Sequence, residues 1–363
     1  MENVFALKLK ELREKTGYSL QDLADKIGVS KQSIHKFENG VVNASSQTVL
    51  KLSEVFSVPY GFFFDNPEAF SFSFENIRFR DGHAILNRDH VEADIKRKVI
   101  DYVSKFMELE ELLEIEHRFQ NPLSEMQIFT EKDIEKAAKL IRKKWKLGND
   151  PIVDVTEMLE EKGVFVVELS LAEEFSGLSG MLNESFPIIV LNENVKIKER
   201  KRFTAMHELG HIVLTFAGDF SDEKVETFCH HFAGAVLLVD EVLFEELGRN
   251  RTTISLNELR RIKERYGISI QAIIFRAKSA SFINYNTFRA WQDIYEEWRE
   301  ADLQPNEFGQ YRCNEKTVRF TNLLVQGINE KRISWAKAAE LSGTKIDLLK
   351  MQMMNTPNFS IKN

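Results

Sequence analysis

Residues 19–40 read SLQDLADKIGVSKQSIHKFENG, and this stretch decides how the N-terminal part of the chain folds. Ser19 suits a helix N-cap, and Asp22 stands three positions later, where its carboxylate can reach back to the cap amide. Leu23, Ala24 and Ile27 share one helical face, and Gly28 ends the helix. Ser30 caps a second helix running to about Glu38, where Asn39-Gly40 is a strong stop. Ala24 is small where two helices must cross closely, Gly28 permits the tight turn, and Ile34 anchors the second helix on the first. That spacing predicts a helix-turn-helix. The exposed face of the second helix carries Lys31, Gln32, Ser33, His35 and Lys36, with no acid between Ser30 and Phe37. Gln can pair bidentately with adenine, and Lys can reach guanine or phosphate. The side chains of this face are therefore the candidate contacts to double-stranded DNA.

Working outward, residues 1–65 read as four short helices, the last over Ser46 to Phe56, with Pro59 closing the unit. This stretch holds 8 basic and 8 acidic side chains, so its positive charge is concentrated on the reading helix. The whole chain of 363 residues has a net charge of −7, which excludes coating of nucleic acid by bulk positive charge. Leu23-Ala24, Gly28-Val29-Ser30, Ser33-Ile34 and Glu38-Asn39-Gly40 resemble the XRE-type (Cro/C1-repressor-like) helix-turn-helix family. The resemblance covers about 60 residues and implies that Lys31, Gln32, Ser33 and Lys36 face the major groove. One departure is Leu20, at a position where the family often carries a phosphate-binding Gln; Gln21 stands one place late.

Only Cys229 and Cys313 are present, so neither a disulfide framework nor a CxxC zinc site is expected, and a reducing cytoplasm is the natural compartment. The N-terminal MENVFALKLKELREK is amphipathic and carries Glu2, unlike a signal peptide, and no run of about 18 apolar residues points to a membrane. Residues 60–82 are rich in Phe, and the alternation of Phe70, Phe72 and Phe74 fits a half-buried strand or strap; a partner-binding segment is the alternative. From Asp89 to Phe119 a helix is expected, with Ile95, Val99, Tyr102, Phe106, Leu109 and Leu113 forming a seam of a little under three heptads. That seam either packs on its own domain or pairs with a second copy. Further helices are expected from Asp133 to Trp145, after Pro151 to about Glu161, from Lys198 to Phe216 and from Ser221 to Val239. Residues 163–168 and 187–192 read as strands, and residues 286–363 as mostly helical.

The second decisive stretch is Phe203-Thr-Ala-Met-His207-Glu208-Leu-Gly-His211, an HExxH motif inside an apolar helix. His207 and His211 project from one helix face one turn apart, a spacing that lets two imidazoles share one Zn2+. Glu208 stands beside them, where a carboxylate can take a proton from a water at the metal. A third protein ligand is needed, and Asp222, Glu223, Glu226, His230 and His231 follow on the next helical stretch. Glu226 is favoured, His230 one turn on suits a hydrogen bond to a ligand, and Glu223 reads as a solvated acid.

Arg202-Phe203-Thr, HELGH and Glu226-x-x-Cys229-His-His-Phe232-Ala233-Gly234 resemble the ImmA/IrrE-type metallopeptidase family, and the likeness extends through Ser269, Ala272 and Arg276 over roughly residues 130–285. The resemblance implies His207, His211 and Glu226 as zinc ligands and Glu208 as general base. The family commonly has Asn where His230 stands. The order of the two modules is similar to fused regulators whose peptidases cleave repressor proteins.

The expected fold is α+β and mainly helical. An all-α helix-turn-helix domain (1–65) is followed by an aromatic-rich segment and linker helix (66–127), a zincin-like metallopeptidase domain with a small sheet (128–285) and a helical C-terminal region (286–363). The expected function is a DNA-binding regulator carrying a zinc endopeptidase. It would act as a homodimer on an operator and cleave a repressor or antitoxin-like protein. Two alternatives stay open: a non-catalytic transcription factor whose peptidase-like domain senses a ligand or partner, and a toxin–antitoxin component.

Overall fold

The computed structural model describes residues 4–42, 44–56, 58, 63, 72–73, 88–172, 175–183, 185–300 and 308–354. Most of the aromatic stretch 60–82 lies outside them, so the expected strap is described only at Phe63 and at Phe72–Ser73. The chain divides into two compact units, Met1–Ser71 and Phe72–Asn363.

The first unit is all-α: α1 (Val4–Thr16), α2 (Leu20–Ile27), α3 (Lys31–Glu38) and α4 (Ser46–Phe56). The start of α2 carries the expected capping box: Ser19 Oγ accepts from the Asp22 amide at 3.1 Å, and the Ser19 amide donates to Asp22 at 2.9 Å. Gly28 closes α2 in the left-handed region at φ 73°, and Ser30 caps α3. Leu9, Leu23, Ala24, Ile27, Ile34, Leu52 and Phe63 are fully buried in one core. Each large member contributes about 1.5–3 kcal/mol of apolar burial. A half-buried pair adds to this packing: Arg13 Nε donates to Glu38 at 2.6 Å and Nη2 at 3.0 Å, tying the end of α3 to α1.

The second unit is α+β. Its sheet runs β1-β4-β5-β3, built from β1 (Phe72–Ser73), β3 (Phe165–Leu169), β4 (Gly177–Leu182) and β5 (Phe186–Asn192). β5 is parallel to β3 and antiparallel to β4, and β1 pairs antiparallel with the far end of β4. A second, two-stranded sheet joins β2 (Gln127–Ile128) in parallel to β6 (Thr215–Phe216). The helices are α5 (Arg88–Leu112), α6 (Glu131–Lys144), α7 (Val155–Glu161), α8 (Lys198–Val213), α9 (Asp222–Leu237), α10 (Asp240–Leu247), α11 (Leu256–Tyr266), α12 (Ile270–Ser279), α13 (Tyr285–Glu300), α14 (Arg319–Asn329), α15 (Trp335–Ser342) and α16 (Ile346–Met354). α8 packs on β4 and β5, and α9 crosses α8 with α6 and α12 against its other sides.

Two expected helix ends need correction, and two further features were not foreseen. The helix expected to reach Phe119 stops at Leu112, because Glu114 adopts φ 56° and the chain turns so that Glu110 meets His117 Nδ1 at 2.8 Å. The helix expected to reach Phe216 stops at Val213; Leu214 is extended, and Thr215–Phe216 pair with β2 instead. β4 was not expected at all, since GLSGML has two glycines and weak β signal. Its Gly177 is required by a close approach: a Cβ there would lie 2.6 Å from Thr204 Cγ2 on α8. Residues 308–318 are not helical but form a strap leading into α14.

The α5 seam is spent within the chain. Ile95, Val99, Phe106, Leu109 and Leu113 are all buried. Phe106 stacks edge-on with Phe165 of β3 at 5.2 Å, and Phe320 of α14 lies 5.5 Å from it. The seam is thus not the face of a dimer helix. Among the described residues no single helix is long and apolar enough to cross a membrane; the bent pair α9–α10 passes on composition, but its apolar side chains form the interior of this unit.

Candidate functional site

In the first unit, α3 presents Lys31, Gln32, His35 and Lys36 as exposed side chains while Ile34 and Phe37 are buried. Ser33 is half-buried, and its hydroxyl lies 2.8 Å from Ser30 Oγ, so it belongs to the cap as much as to the outer face. Leu20 packs against the core, and Gln21 donates to Asp25 on its own helix at 2.8 Å. Gln21 therefore does not replace the absent phosphate-binding Gln as oriented here.

In the second unit, the site is built on α8, and α8 is fixed by Arg202. This guanidinium is completely buried. It donates to the carbonyls of Ile152 (2.6 Å), Val153 (3.2 Å), Tyr266 (3.3 Å) and Gly267 (3.0 Å), and it ion-pairs with Glu315. Glu315 also accepts from the Val155 amide at 3.0 Å and the Thr156 amide at 3.3 Å, capping α7. Lys201 adds a second tie, pairing with Glu168 and donating to the Glu315 carbonyl at 2.7 Å. The strap 308–318 thus locks the N-terminal half of α8 to α7.

One and a half turns beyond Arg202, His207 and His211 meet Glu226 of α9. His207 Nε2 lies 3.2 Å from His211 Nε2 and 3.1 Å from Glu226 Oε2, and His211 Nε2 lies 3.3 Å from Glu226 Oε1. Among the described residues this trio is the one cluster of His, Cys, Asp or Glu with metal-ligand spacing. Burial lowers His207 to about 4, so the imidazole is neutral and offers a lone pair. Burial acts to raise Glu226, but hydrogen bonds with His207 and His211 outweigh it and hold the carboxyl well below its usual range. Glu208 is buried beside the trio, and that burial pushes it up to about 7 against the opposing effects of His211 and Ser179. Ser179 of β4 donates to Glu208 Oε2 at 2.7 Å.

The other candidates are separated by the faces of α9. Asp222 and Glu223 are exposed in its first turn. His231 Nε2 lies 2.5 Å from Glu135 of α6, away from the trio. His230 lies beside His207, the rings tilted with centroids 4.2 Å apart, and its Nδ1 lies 2.8 Å from the Glu226 main-chain carbonyl, not its carboxylate. Arg276 is buried between Glu135 (2.5 Å), Asp240 (2.6 Å) and the Leu238 carbonyl (3.1 Å), a structural tie among α6, α10 and α12. Sequence reasoning missed Ser179, because β4 itself carried no signal, and Glu315, which lies 113 positions from its partner Arg202.

Comparison with known proteins agrees with this division. Residues 9–63 match the family described as Helix-turn-helix, and residues 159–278 match the IrrE N-terminal-like domain of peptidase family M78. A protein of Pyrococcus abyssi named "Putative HTH-type transcriptional regulatory protein" is 47% identical over 49 residues, 14% of this chain and 16% of its own length. A Thermococcus kodakarensis protein of the same description is 26% identical over 178 residues, 49% of this chain and 51% of its own. The chain thus spans between 16% and 51% of the length of the curated relatives it matches. The crystal structure of Bacillus thuringiensis PlcR in complex with the peptide PapR7 and DNA covers 97% of both chains at 11% identity, but its TM-score of 0.19 carries no argument about this fold. The chain therefore joins an XRE-type helix-turn-helix domain to an IrrE N-terminal-like domain of the M78 peptidase family.

Proposed function

We propose that the chain is a DNA-binding transcriptional regulator whose IrrE-like domain is a zinc endopeptidase acting on a repressor or antitoxin-like protein. The observation that carries the catalytic part is the convergence of His207 Nε2, His211 Nε2 and the Glu226 carboxylate beside a buried Glu208. The donor set fits zinc: two imidazole nitrogens and one carboxylate, separated by 3.1–3.3 Å. The 3.2 Å between the two imidazole nitrogens is close to the roughly 3.3 Å edge of a tetrahedron with bonds of about 2.0–2.1 Å, and each nitrogen faces a different oxygen of the Glu226 carboxylate. His207, His211 and Glu226 would hold the metal. Zinc held there supplies Lewis acidity to a water and to the scissile carbonyl. Glu208 takes the proton of the attacking water on a carboxylate oxygen and returns it to the leaving amine. Burial disfavours the charged form of its carboxyl, which eases the return of the proton, and Ser179 anchors one of its oxygens. His230 lines the site next to His207.

Lys31, Gln32 and Lys36 read DNA from the exposed face of α3, with Ser33 at its edge. With two lysines on the reading helix, affinity per subunit is modest, which supports binding as a homodimer on two half-sites. The experiment is a Glu208→Gln trap of the full chain, purified from cells and analysed for zinc and for bound proteins by mass spectrometry. Stoichiometric zinc and a retained protein that the wild type cleaves are the expected result. No zinc in either form, or cleavage unaffected by Glu208→Gln, removes the peptidase reading and leaves a non-catalytic regulator.

A further inference from the structure

We infer that Cys229 is a positioning residue for the metal centre: its sulfur accepts a hydrogen bond from His211 Nδ1–H and so directs the His211 Nε2 lone pair towards the metal. The inference rests on the zinc reading above. Cys229 Sγ lies 3.5 Å from His211 Nδ1, and Cys229 is completely buried. A neutral imidazole has one N–H and one lone pair. For Nε2 to ligate, Nδ1 must carry the proton, and an acceptor facing that N–H fixes the tautomer and the ring orientation. Cys229 is placed to be that acceptor. Glu226 and Cys229 stand three residues apart on α9, so one helix supplies a ligand oxygen on the Nε2 side of His211 and a sulfur on its Nδ1 side.

The helix contact that delivers the sulfur is tight at Gly210, the residue before His211. A Cβ there would come within 3.3 Å of Cys229 Cβ, of Cys229 Sγ and of Phe232 Cδ1. The missing methyl lets α9 seat against α8, which is also what brings Glu226 to the two histidines. His207 is treated differently: its Nδ1 is buried and makes no hydrogen bond to a described residue. Of the two histidines, His211 is the one whose ring the protein orients through a side chain.

The test compares wild type, Cys229→Ser, Cys229→Ala and His211→Ala as full chains. Zinc dissociation constants are measured by competition with a chromophoric chelator, and the visible spectrum of the Co2+-substituted proteins reports ligand geometry. Loss of an acceptor behind a ligating histidine lowers metal affinity by roughly 10- to 100-fold. Cys229→Ala should show that loss with a shifted Co2+ spectrum. Cys229→Ser, close to alanine in volume but still an acceptor, should restore affinity to within a few-fold of wild type. Equal losses in Ser and Ala would mean that packing alone matters and would overturn the inference. So would wild-type affinity in Cys229→Ala, provided that His211→Ala abolishes binding. A wild type that binds no zinc overturns the zinc reading and the inference together. Far-UV circular dichroism of each variant separates metal loss from unfolding.

Discussion

The buried pair Arg202–Glu315 offers the sharpest test of how the site is held. Glu315→Gln keeps the shape of the side chain but removes its charge. Arg202 would then remain completely buried among the carbonyls of Ile152, Val153, Tyr266 and Gly267 without a counter-ion. Two amides at the start of α7 and the Thr156 hydroxyl would lose a charged acceptor. Breaking a buried pair by removing one partner costs about 3–5 kcal/mol, a large share of the roughly 5–15 kcal/mol that stabilises a folded protein. The unit Phe72–Asn363 has an unfolding entropy of about 0.6 kcal/mol/K at 2.1 cal/mol/K per residue. The melting transition of that unit should therefore fall by about 5–8 °C, read by differential scanning calorimetry of the full chain. Because Arg202 fixes α8 five positions before His207, retained zinc should fall as well. A shift below about 2 °C, or normal zinc content in a strongly destabilised variant, would show that the strap does not hold the metal-bearing helix.

Other outcomes follow from individual residues. Glu160 is buried, and that burial raises it to about 7 from 4.5 although it accepts the Val318 and Arg319 amides. The folded state then holds more protons than the unfolded state between those values, so stability falls as pH rises through that window, by up to about 3 kcal/mol. Glu160→Gln should be more stable than wild type at pH 8 and lose that slope; parallel stability–pH curves would sink this account. Gln32→Ala should weaken binding to a preferred DNA site by about 1–3 kcal/mol and relax its sequence preference, measured by fluorescence anisotropy at fixed salt. A wild type that binds all sequences equally would contradict it. Chelation should lower the melting point of the second unit, since a ligand at 100 times its dissociation constant adds about 2.7 kcal/mol; identical melting curves with and without chelator would argue against a bound metal.

Much of the architecture was legible where the governing interactions are short-range. Ser19 with Asp22, Ser30 and Gly28 fix α2, α3 and their turn through hydrogen bonds and dihedrals spanning three or four residues. The His207–His211 spacing is likewise a property of one helix turn. The errors fell at ends and joins. Leu112 and Val213 end their helices because the next residues find partners elsewhere, His117 in one case and β2 in the other. The α5 seam suited its own neighbours somewhat better than a second copy, and Phe165 and Phe320 show that its partner is internal.

The sequence alone therefore determined the two local devices, a turn between α2 and α3 and a pair of histidines on one face of α8. Glu226 was already the favoured third ligand, but only the tertiary structure brought its carboxylate to the two histidines, Ser179 to Glu208 and Glu315 to Arg202. Helical periodicity places side chains within a segment. Which face of α9 meets α8, and which strand and strap lie alongside, depends on packing between residues as much as 160 positions apart, and no local rule carries that information.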